Sequence, residues 1–261
     1  HGDRFMEFWN LVFMQYDQDA DGNRVALPKP SIDTGAGLER ILCLMQGVDA
    51  VWETDLMMPL IDQACSLTGK RYVAGDYQDR ESFAMRVLAE HARSSTMLVS
   101  DGVFPSNEGR GYVLRRIIRR AVRYAYLLGT EKLVMPSLVE TAVSVMGAAY
   151  PDVVKNHDFV VGVLTREEER FRHTLKTGLG ILEDELSGGV GRLPGSTAFL
   201  LHDTYGFPLE LTEEIAGERG VEVDGDGFEA EMKAQRERAK AARKGATVLS
   251  QHWDEGFPFS F

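Results

Sequence analysis

The sequence is poor in the features that mark secreted, membrane and metal-binding proteins. Its two cysteines, Cys43 and Cys65, and its six histidines do not have the spacing of a disulfide framework or a zinc site. Apolar runs are only a few residues long, which excludes a membrane span and the core of a signal peptide. These absences predict a cytoplasmic protein that has no membrane partner and holds no metal ion of its own.

Positive charge is also scarce. Lys and Arg total 29 against 40 Asp and Glu, which gives a net charge of -11, so the chain as a whole lacks the charge balance of a nucleic-acid-binding protein. Any nucleic-acid site must therefore be a local patch. The 44% of hydrophobic residues suffice for a sizeable core. The first residue is His1 rather than Met, and we expect the chain to be a piece of something larger.

Strand signals are concentrated in the first 50 residues. Alternating apolar residues predict a strand over Phe5–Tyr16, and the Asp- and Gly-rich segment 17–22 predicts a turn. A returning strand beginning near Val25 is predicted to feed a glycine loop and then a helix that starts near Leu38. Together these elements predict a hairpin.

The strand signals almost vanish after about Val51, which predicts a domain boundary. We expect residues 1–50 to contain strands, residues 51–245 to be mainly helical and residues 246–261 to form a tail of unassigned role, an α+β fold class. The predicted helices are Leu56–Leu67, Ser82–Val99, Tyr112–Leu128, Pro136–Met146, Phe159–Leu186, Ser196–His202, Leu209–Glu218 and Phe228–Ala242.

The segment Asp33–Arg40, with the sequence DTGAGLER, combines two glycines with the start of a helix. Gly35 and Gly37 let the backbone approach a ligand closely, and the first N–H groups of the helix carry partial positive charge. Arg40 can pair with phosphate or stack on a base, and Asp33 can bind an amine. The segment indicates a nucleotide pocket. The alternative is a tight strand-to-helix turn with Arg40 solvated, which is the commoner case for so short a motif.

Six arginines lie close together in a chain that is otherwise acidic. Five of them recur at helical spacing opposite an apolar face, which predicts one stripe of guanidinium groups. Such a stripe is typical of contact with a phosphate backbone. The alternative is pairing with acids of neighbouring helices, but a stripe of one sign is an inefficient neutral interface, so we favour nucleic-acid contact. The arginines are Arg110, Arg115, Arg116, Arg119, Arg120 and Arg123.

Two further segments have a structural interpretation. His202–Pro208 contains Gly206 and Pro208, which predict the C-terminal cap of a helix. The acidic run Glu167–Arg170 is predicted to be the solvated face of a long helix. Neither segment indicates a binding site by residue type alone.

Four blocks of the sequence resemble the alanyl-tRNA synthetases, class II enzymes that attach alanine to tRNA. The blocks follow the family's order and spacing, and the likeness runs from about Gly2 to about Arg243. The resemblance implies that residues 1–50 are the C-terminal part of an antiparallel-sheet catalytic domain containing motif 3. A helical tRNA-recognition domain would follow. The blocks are Trp9–Tyr16, Leu27–Arg40, Pro105–Arg123 and Asp203–Pro208.

The resemblance assigns roles to residues of the predicted hairpin. Arg40 matches the motif 3 arginine, which lies against ATP and helps to hold its adenine and terminal phosphate, while Asp33 matches the carboxylate that receives the alanine ammonium group. Both would be catalytic. The implied alanine-binding residues are Asn10, Val12, Asp33 and Gly35, and the implied ATP-binding residues are Gly35, Gly37 and Arg40.

In the helical part, Asn107 and Asp203 match the pair with which the family reads a G·U wobble pair in the tRNA acceptor stem. In the shallow minor groove, the guanine amino group is a donor for a carboxylate, and uracil offers an acceptor to an amide. This implication overrides the purely structural interpretation of Asp203. The six arginines would then hold the sugar-phosphate backbone.

The implied activity is that of an alanine–tRNA ligase, which uses ATP with Mg²⁺ to activate alanine and transfers it to tRNA(Ala). Its partners would include no DNA and no membrane, and the sequence does not determine an oligomeric state. The segments of motifs 1 and 2 do not occur in this sequence, so we expect the fragment alone to be inactive. The alternative is a non-catalytic tRNA-binding module, derived from such a synthetase, that serves another aminoacyl-tRNA-dependent enzyme.

Overall fold

A computed structural model of the chain describes residues 5–254, with side chains up to residue 241. That part holds a long hairpin, ten α-helices and a pair of two-residue strands, so the fold is mixed α+β, as predicted. None of its helices has the length and apolar content to cross a membrane. The elements are β1 (Trp9–Gln18), β2 (Arg24–Ala36), α1 (Leu38–Gln46), α2 (Met58–Thr68), α3 (Arg80–Ser100), α4 (Gly109–Leu127), α5 (Met135–Met146), α6 (Pro151–Lys155), α7 (His157–Ser187), β3 (Arg192–Leu193), α8 (Gly195–Asp203), α9 (Leu209–Gly217), β4 (Glu222–Val223) and α10 (Gly225–Asp254), with a 3-10 turn at Val51–Glu53.

The chain divides into two compact units. The first comprises His1–Gly102 and Tyr124–Gly162, and the second comprises Val103–Arg123 and Val163–Phe261. The domain boundary predicted near Val51 follows the loss of strand signals rather than compactness, and the predicted boundaries stay predictions.

The hairpin of β1 and β2 is antiparallel, with one irregularity of register between Met14 and Tyr16. Its turn is closed by the Asp19 carboxylate, which accepts the backbone N–H groups of Asp21 at 3.0 Å and Asn23 at 2.9 Å. The Asn23 side-chain amide also donates to Asp19 Oδ2 at 2.9 Å; this bond contributes most to lowering the pKa of Asp19, and the backbone N–H groups add to it. The turn predicted from the Asp- and Gly-rich segment is confirmed.

Strand β2 continues through the segment predicted to be a glycine loop. Gly35 lies opposite Asn10 in the ladder, and the strand ends only at Ala36, so the loop prediction was wrong. Pairing with β1 satisfies the backbone groups of this segment and outweighs the weak strand preference of glycine. Gly37 alone connects the strand to α1, as the N-cap residue of that helix.

The helices predicted after residue 51 are confirmed, although their ends shift. The helix predicted over Phe228–Ala242 runs over Gly225–Asp254, because the helix-forming residues continue and one glycine such as Gly245 costs a helix only about 1 kcal/mol. It takes in part of the predicted tail, whose residues 255–261 lie outside the described residues. Helix α6 and the parallel strand pair of β3 and β4 are too short to carry a periodic signal and were not predicted.

Each unit has a core built from helices. In the first unit, α2, α3 and α5 pack against one another and bury Leu60, Met85 and Leu138 completely. In the second unit, α8 packs against α9 and α10, and the rings of Phe171 and Phe207 meet edge to face with centroids 5.3 Å apart. Burial of apolar side chains at helical spacing is the main stabilising term in both units.

Candidate functional site

The four residues predicted to bind alanine lie on one face of the hairpin. Asn10 pairs with Gly35, and Val12 pairs with Asp33. Side chains alternate along a strand, so residues two positions apart share a face, and directly paired residues of the two strands point to the same side. The two pairs therefore lie on one face of the hairpin. A Cβ atom on residue 35 would lie 3.2 Å from Asn10 Oδ1, so the glycine leaves room for the amide. The register thus brings together residues from two separate sequence blocks.

The polar groups on this face are open to solvent. Asp33 is exposed, and its carboxylate has no hydrogen-bond or ion-pair partner among the side chains that the structure describes. Asn10 is held by a hydrogen bond from its Nδ2 to Glu7 Oε1 at 3.0 Å. An exposed and unpaired carboxylate can receive an ammonium group in a charge-assisted hydrogen bond.

Arg40 lies in the first turn of α1, close to the end of β2. Its guanidinium is exposed, and Nη1 donates to the backbone carbonyl of Glu7 at 2.5 Å. No side chain caps the start of α1, where Gly37 has an extended backbone. Uncapped N–H groups and an arginine at one helix end can together bind an anion such as a phosphate.

Five of the six clustered arginines form ion pairs with a glutamate of α7 and with three glutamates in α9 or at its C-terminal cap, in what we call the arginine–glutamate cluster. Glu210, Glu214 and Glu218 recur every fourth residue and therefore follow one side of their helix and its C-terminal end. The pairs are Arg115 and Arg119 with Glu167, Arg116 with Glu210, Arg120 with Glu214, and Arg123 with Glu214 and Glu218, at N–O distances between 2.6 and 3.9 Å.

The arginine–glutamate cluster corrects the expectation of one solvent-facing stripe. Arg119 and Arg123 are buried, with exposed fractions of 7% and 2%. The alternative interpretation, pairing with acids of neighbouring helices, describes what the structure shows. The regular spacing of the three glutamates near α9 was the sequence signal that could have indicated it. Arg110 is exposed and has no ion pair among the described side chains, and contact of exposed arginines with RNA stays a prediction.

The acidic run of α7 was predicted to be solvated, which is wrong for two of its residues. Glu167 is 5% exposed and Glu168 is fully buried. Arg119 Nε donates to Glu167 Oε1 at 2.8 Å, and Arg172 Nε donates to Glu168 Oε1 at 2.8 Å. Burial lowers the pKa of Arg119, and the Glu167 carboxylate opposes that shift because it stabilises the charged guanidinium. Arginine side chains here take the place of water as partners of the acids.

Asn107 and Asp203, the predicted G·U readers, are both exposed, and each uses one side-chain oxygen in a hydrogen bond within the chain. Asn107 Oδ1 accepts a hydrogen bond from Arg115 Nη1. Asp203 Oδ1 accepts one from Gln235 Nε2. Because a guanidinium can only donate, the amide of Asn107 must turn its oxygen to Arg115 and its NH₂ group away. Each side chain therefore keeps one polar group, an amide donor and a carboxylate acceptor, for a ligand.

The turn after Asp203 has the geometry of a helix cap. Phe207 N donates to the carbonyl of Leu201 at 2.9 Å, and Gly206 has φ +71°, a conformation that favours glycine. Arg119 Nη1 donates to the carbonyl of Gly206, and a Cβ atom on residue 206 would collide with that nitrogen. The structural interpretation of this segment is confirmed for the backbone, and it leaves the Asp203 side chain exposed.

His202 lies between two aromatic rings beside this turn. Its ring meets Phe228 edge to face with centroids 5.5 Å apart, and the Tyr112 ring lies 6.4 Å away. Burial lowers the pKa of His202 and outweighs the opposing effects of the Phe207 backbone and the charge of Asp203.

The described residues thus form an α+β protein with an exposed carboxylate on one hairpin face, an exposed arginine at the start of α1, and a second region with a free amide donor and carboxylate acceptor. Residues 1–256 match the family described as tRNA synthetases class II (A), and the chain belongs to that family.

Three relatives show how the chain compares with longer proteins. It is 50% identical over 248 residues to the alanine–tRNA ligase of Nitratidesulfovibrio vulgaris (strain Hildenborough), which covers 94% of this chain and 28% of the relative. The identity is 51% over 256 residues with the enzyme of Halorhodospira halophila, covering 98% of the chain and 29% of the relative. It is also 51% over 256 residues with that of Caulobacter sp. (strain K31), covering 97% and 28%. The chain thus spans less than a third of the length of these relatives.

Proposed function

We propose that this chain is the part of an alanine–tRNA ligase that contains motif 3 of the catalytic domain and the tRNA-recognition domain. The observation that carries the proposal is the hairpin register, which puts Asn10, Val12, Asp33 and Gly35 on one face. The names of relatives about half identical over nearly the whole chain support the same activity. They also disfavour the alternative of a non-catalytic tRNA-binding module.

In the complete enzyme, the hairpin would position alanine and ATP. Asp33 would hold the alanine ammonium group, and Arg40 with Gly35 and Gly37 would hold ATP. The alanine carboxylate would then attack the α-phosphate, forming a carboxyl-phosphate bond while pyrophosphate leaves. Positioning and neutralisation of charge supply most of the catalysis in such a reaction.

Magnesium would enter this site with ATP. The described residues contain no group of three or more His, Cys, Asp or Glu side chains placed to hold a metal ion. Mg²⁺ usually keeps several waters and binds substrate phosphates with one or two carboxylates, so it needs no cage of protein ligands. We therefore assign the ion no residue of this chain.

Recognition of the acceptor stem of tRNA(Ala) would fall to Asn107 and Asp203. The free Asn107 NH₂ group can donate to uracil and the free Asp203 oxygen can accept the guanine amino group of a G·U pair. Of the six clustered arginines, we propose that Arg110 and the partly exposed Arg116 contact phosphates of the RNA. The buried members of the arginine–glutamate cluster join α4 to α7 and α9 instead.

The exposed apolar side chains of the hairpin fit a catalytic domain larger than these two strands. Leu11 and Phe13 are about 60% exposed, on the face opposite to Val12, which is 50% exposed. A two-stranded hairpin is marginally stable by itself, and apolar side chains on both faces are typical of a strand pair within a larger covered sheet.

We expect the complete protein to act in the cytoplasm.

The test is alanine-dependent exchange of pyrophosphate into ATP by the complete enzyme. Asp33→Asn removes the charge at nearly constant shape. We expect kcat/KM for alanine to fall about 100-fold or more, because the ammonium group of bound alanine would be left without its ion-pair partner. Asp21→Asn, on an exposed carboxylate in the hairpin turn, is the matched control and should leave exchange unchanged. Wild-type exchange by Asp33→Asn would contradict the assignment.

A further inference from the structure

We propose that Glu167 is a positioning residue that holds both G·U-reading segments through Arg115 and Arg119. The inference rests on the proposed function, because Asn107 and Asp203 are the readers in that function. Glu167 itself lies on α7 and is buried, so it touches no RNA.

The first arm leads from Glu167 to Asn107. Arg115 Nε lies 3.2 Å from Glu167 Oε1, and Arg115 Nη1 donates to Asn107 Oδ1. The Nε–Oε1 contact is an ion pair without hydrogen-bond geometry, and the rigid, planar guanidinium that it attracts carries Nη1 to Asn107. Glu167 thereby holds in place the arginine that orients the Asn107 amide.

The second arm leads from Glu167 to the turn after Asp203. Arg119 Nη2 lies 2.6 Å from Glu167 Oε1, and its Nη1 donates to the carbonyl of Gly206, three positions after Asp203. The guanidinium also lies over the Phe171 ring, 5.2 Å from its centroid. Contacts on three sides leave Arg119 little freedom, so the turn that follows Asp203 is held with it.

Both arms end on the same oxygen atom, Oε1 of Glu167. A neutral side chain at this position would weaken both ion pairs at once, and the two reader segments would no longer be held by one shared carboxylate. Glu214 offers a matched control, because it also pairs with two arginines of α4, Arg120 and Arg123.

The first measurement needs no RNA. In ¹H–¹⁵N spectra of the chain labelled at Asn and Gly, we expect Glu167→Gln to shift both the Asn107 side-chain amide and the Gly206 backbone amide. Glu214→Gln should leave both signals in place. A shift of only one signal, or of neither, would overturn the coupling through Glu167 whatever the chain does with tRNA.

The second measurement is a binding titration with two alanine-type acceptor-stem hairpin RNAs, one with G·U and one with G·C. We expect Glu167→Gln to lower the preference for G·U by about 5-fold or more, the worth of one base-edge contact, and to leave the salt dependence unchanged. Glu167→Asp, which keeps the charge, should recover part of the preference, and Glu214→Gln should keep all of it. Equal weakening for both RNAs would show a merely structural role and overturn the proposal.

Two outcomes separate this inference from the proposed function. If the wild-type chain shows no preference for G·U, the proposed function fails, and the spectra still decide whether Glu167 couples the two segments. If Glu167→Gln does not fold, Arg115→Lys tests one arm alone. Lysine keeps the charge without the guanidinium fork, so it should shift the Asn107 amide and not that of Gly206, and a shift of both would contradict two separate arms.

Discussion

The hairpin and the arginine–glutamate cluster place charged residues in opposite environments. On the hairpin, pairing of β1 with β2 satisfies the backbone but leaves the side chain of Asp33 exposed. In the arginine–glutamate cluster, Arg119 and Glu167 are buried and bound to each other. A two-stranded ribbon has two open faces, whereas three helices surround a side chain with other side chains. Packing, rather than residue type, therefore decides whether a charge is available to a ligand.

The same comparison separates two kinds of motif. Gly35 and Arg40 lie within six residues of each other, at the end of β2 and the start of α1. The arginines of α4 depend on partners far along the chain, such as the 95 positions that separate Arg123 and Glu218. The residue types of a short motif indicate which ligands it could bind, but the partners of a charge stripe cannot be identified from the stripe itself.

The largest difference between the two regions should appear in stability. Arg119→Ala leaves Glu167 buried without its closest cation and removes the contact with Phe171, so we expect a loss of about 3–5 kcal/mol in the free energy of unfolding. Asp33→Ala, on the open hairpin face, should change it by less than about 0.5 kcal/mol. Urea unfolding followed by circular dichroism measures both, and similar effects for the two variants would break the comparison.

Two glycines with positive φ extend the comparison of the hairpin with the arginine–glutamate cluster to the backbone. Gly206 has φ +71° and lies against Arg119, whereas Gly22 in the hairpin turn has φ +86° with open space around it. We expect Gly206→Ala to cost about 2–3 kcal/mol, since strain adds to a collision. Gly22→Ala carries only the left-handed strain and should cost about 1 kcal/mol. Thermal unfolding of the two variants gives the order, and the reverse order would contradict the packing shown for Gly206.

The smallest expected effect concerns pH. The folded-state pKa of His202 is lowered by burial, so the unfolded chain binds more protons below about pH 6.5. The contribution of His202 is fully present above that pH and is lost as pH falls through the window between the unfolded and folded pKa values. Unfolding midpoints at about pH 7.5 and 5.5 should differ more for wild type than for His202→Gln. An equal drop in both proteins would assign the pH dependence to other groups.

Much of the secondary structure could be predicted because its signals are local. Apolar spacing indicated the helices, and segment 17–22 was identified as a turn from its residue types, although Asp17 and Gln18 still belong to β1. The C-terminal end of α10 was missed because the helix continues through Gly245, where a break was predicted. The glycine loop was wrong because pairing with β1, which no local pattern in Asp33–Ala36 encodes, keeps that segment extended.

The candidate site could be predicted only in part. The sequence indicated Asn10, Val12, Asp33 and Gly35 as a group through resemblance, while the register shows that they share a face. Glu167 was mistaken for a solvated residue, because its partner Arg119 lies 48 positions away and no spacing within α7 reveals it.

By itself, the sequence determined the hairpin, the succession of helices and the residue types available for binding, because periodicity and turn chemistry act over a few residues. Only the tertiary structure decided which charged side chains stay exposed to solvent. A charged side chain keeps its water when nothing covers it, as at Asp33, and exchanges water for an ion pair when another helix brings the opposite charge, as at Arg119. That choice depends on contacts between distant segments, which the order of residues along the chain does not display.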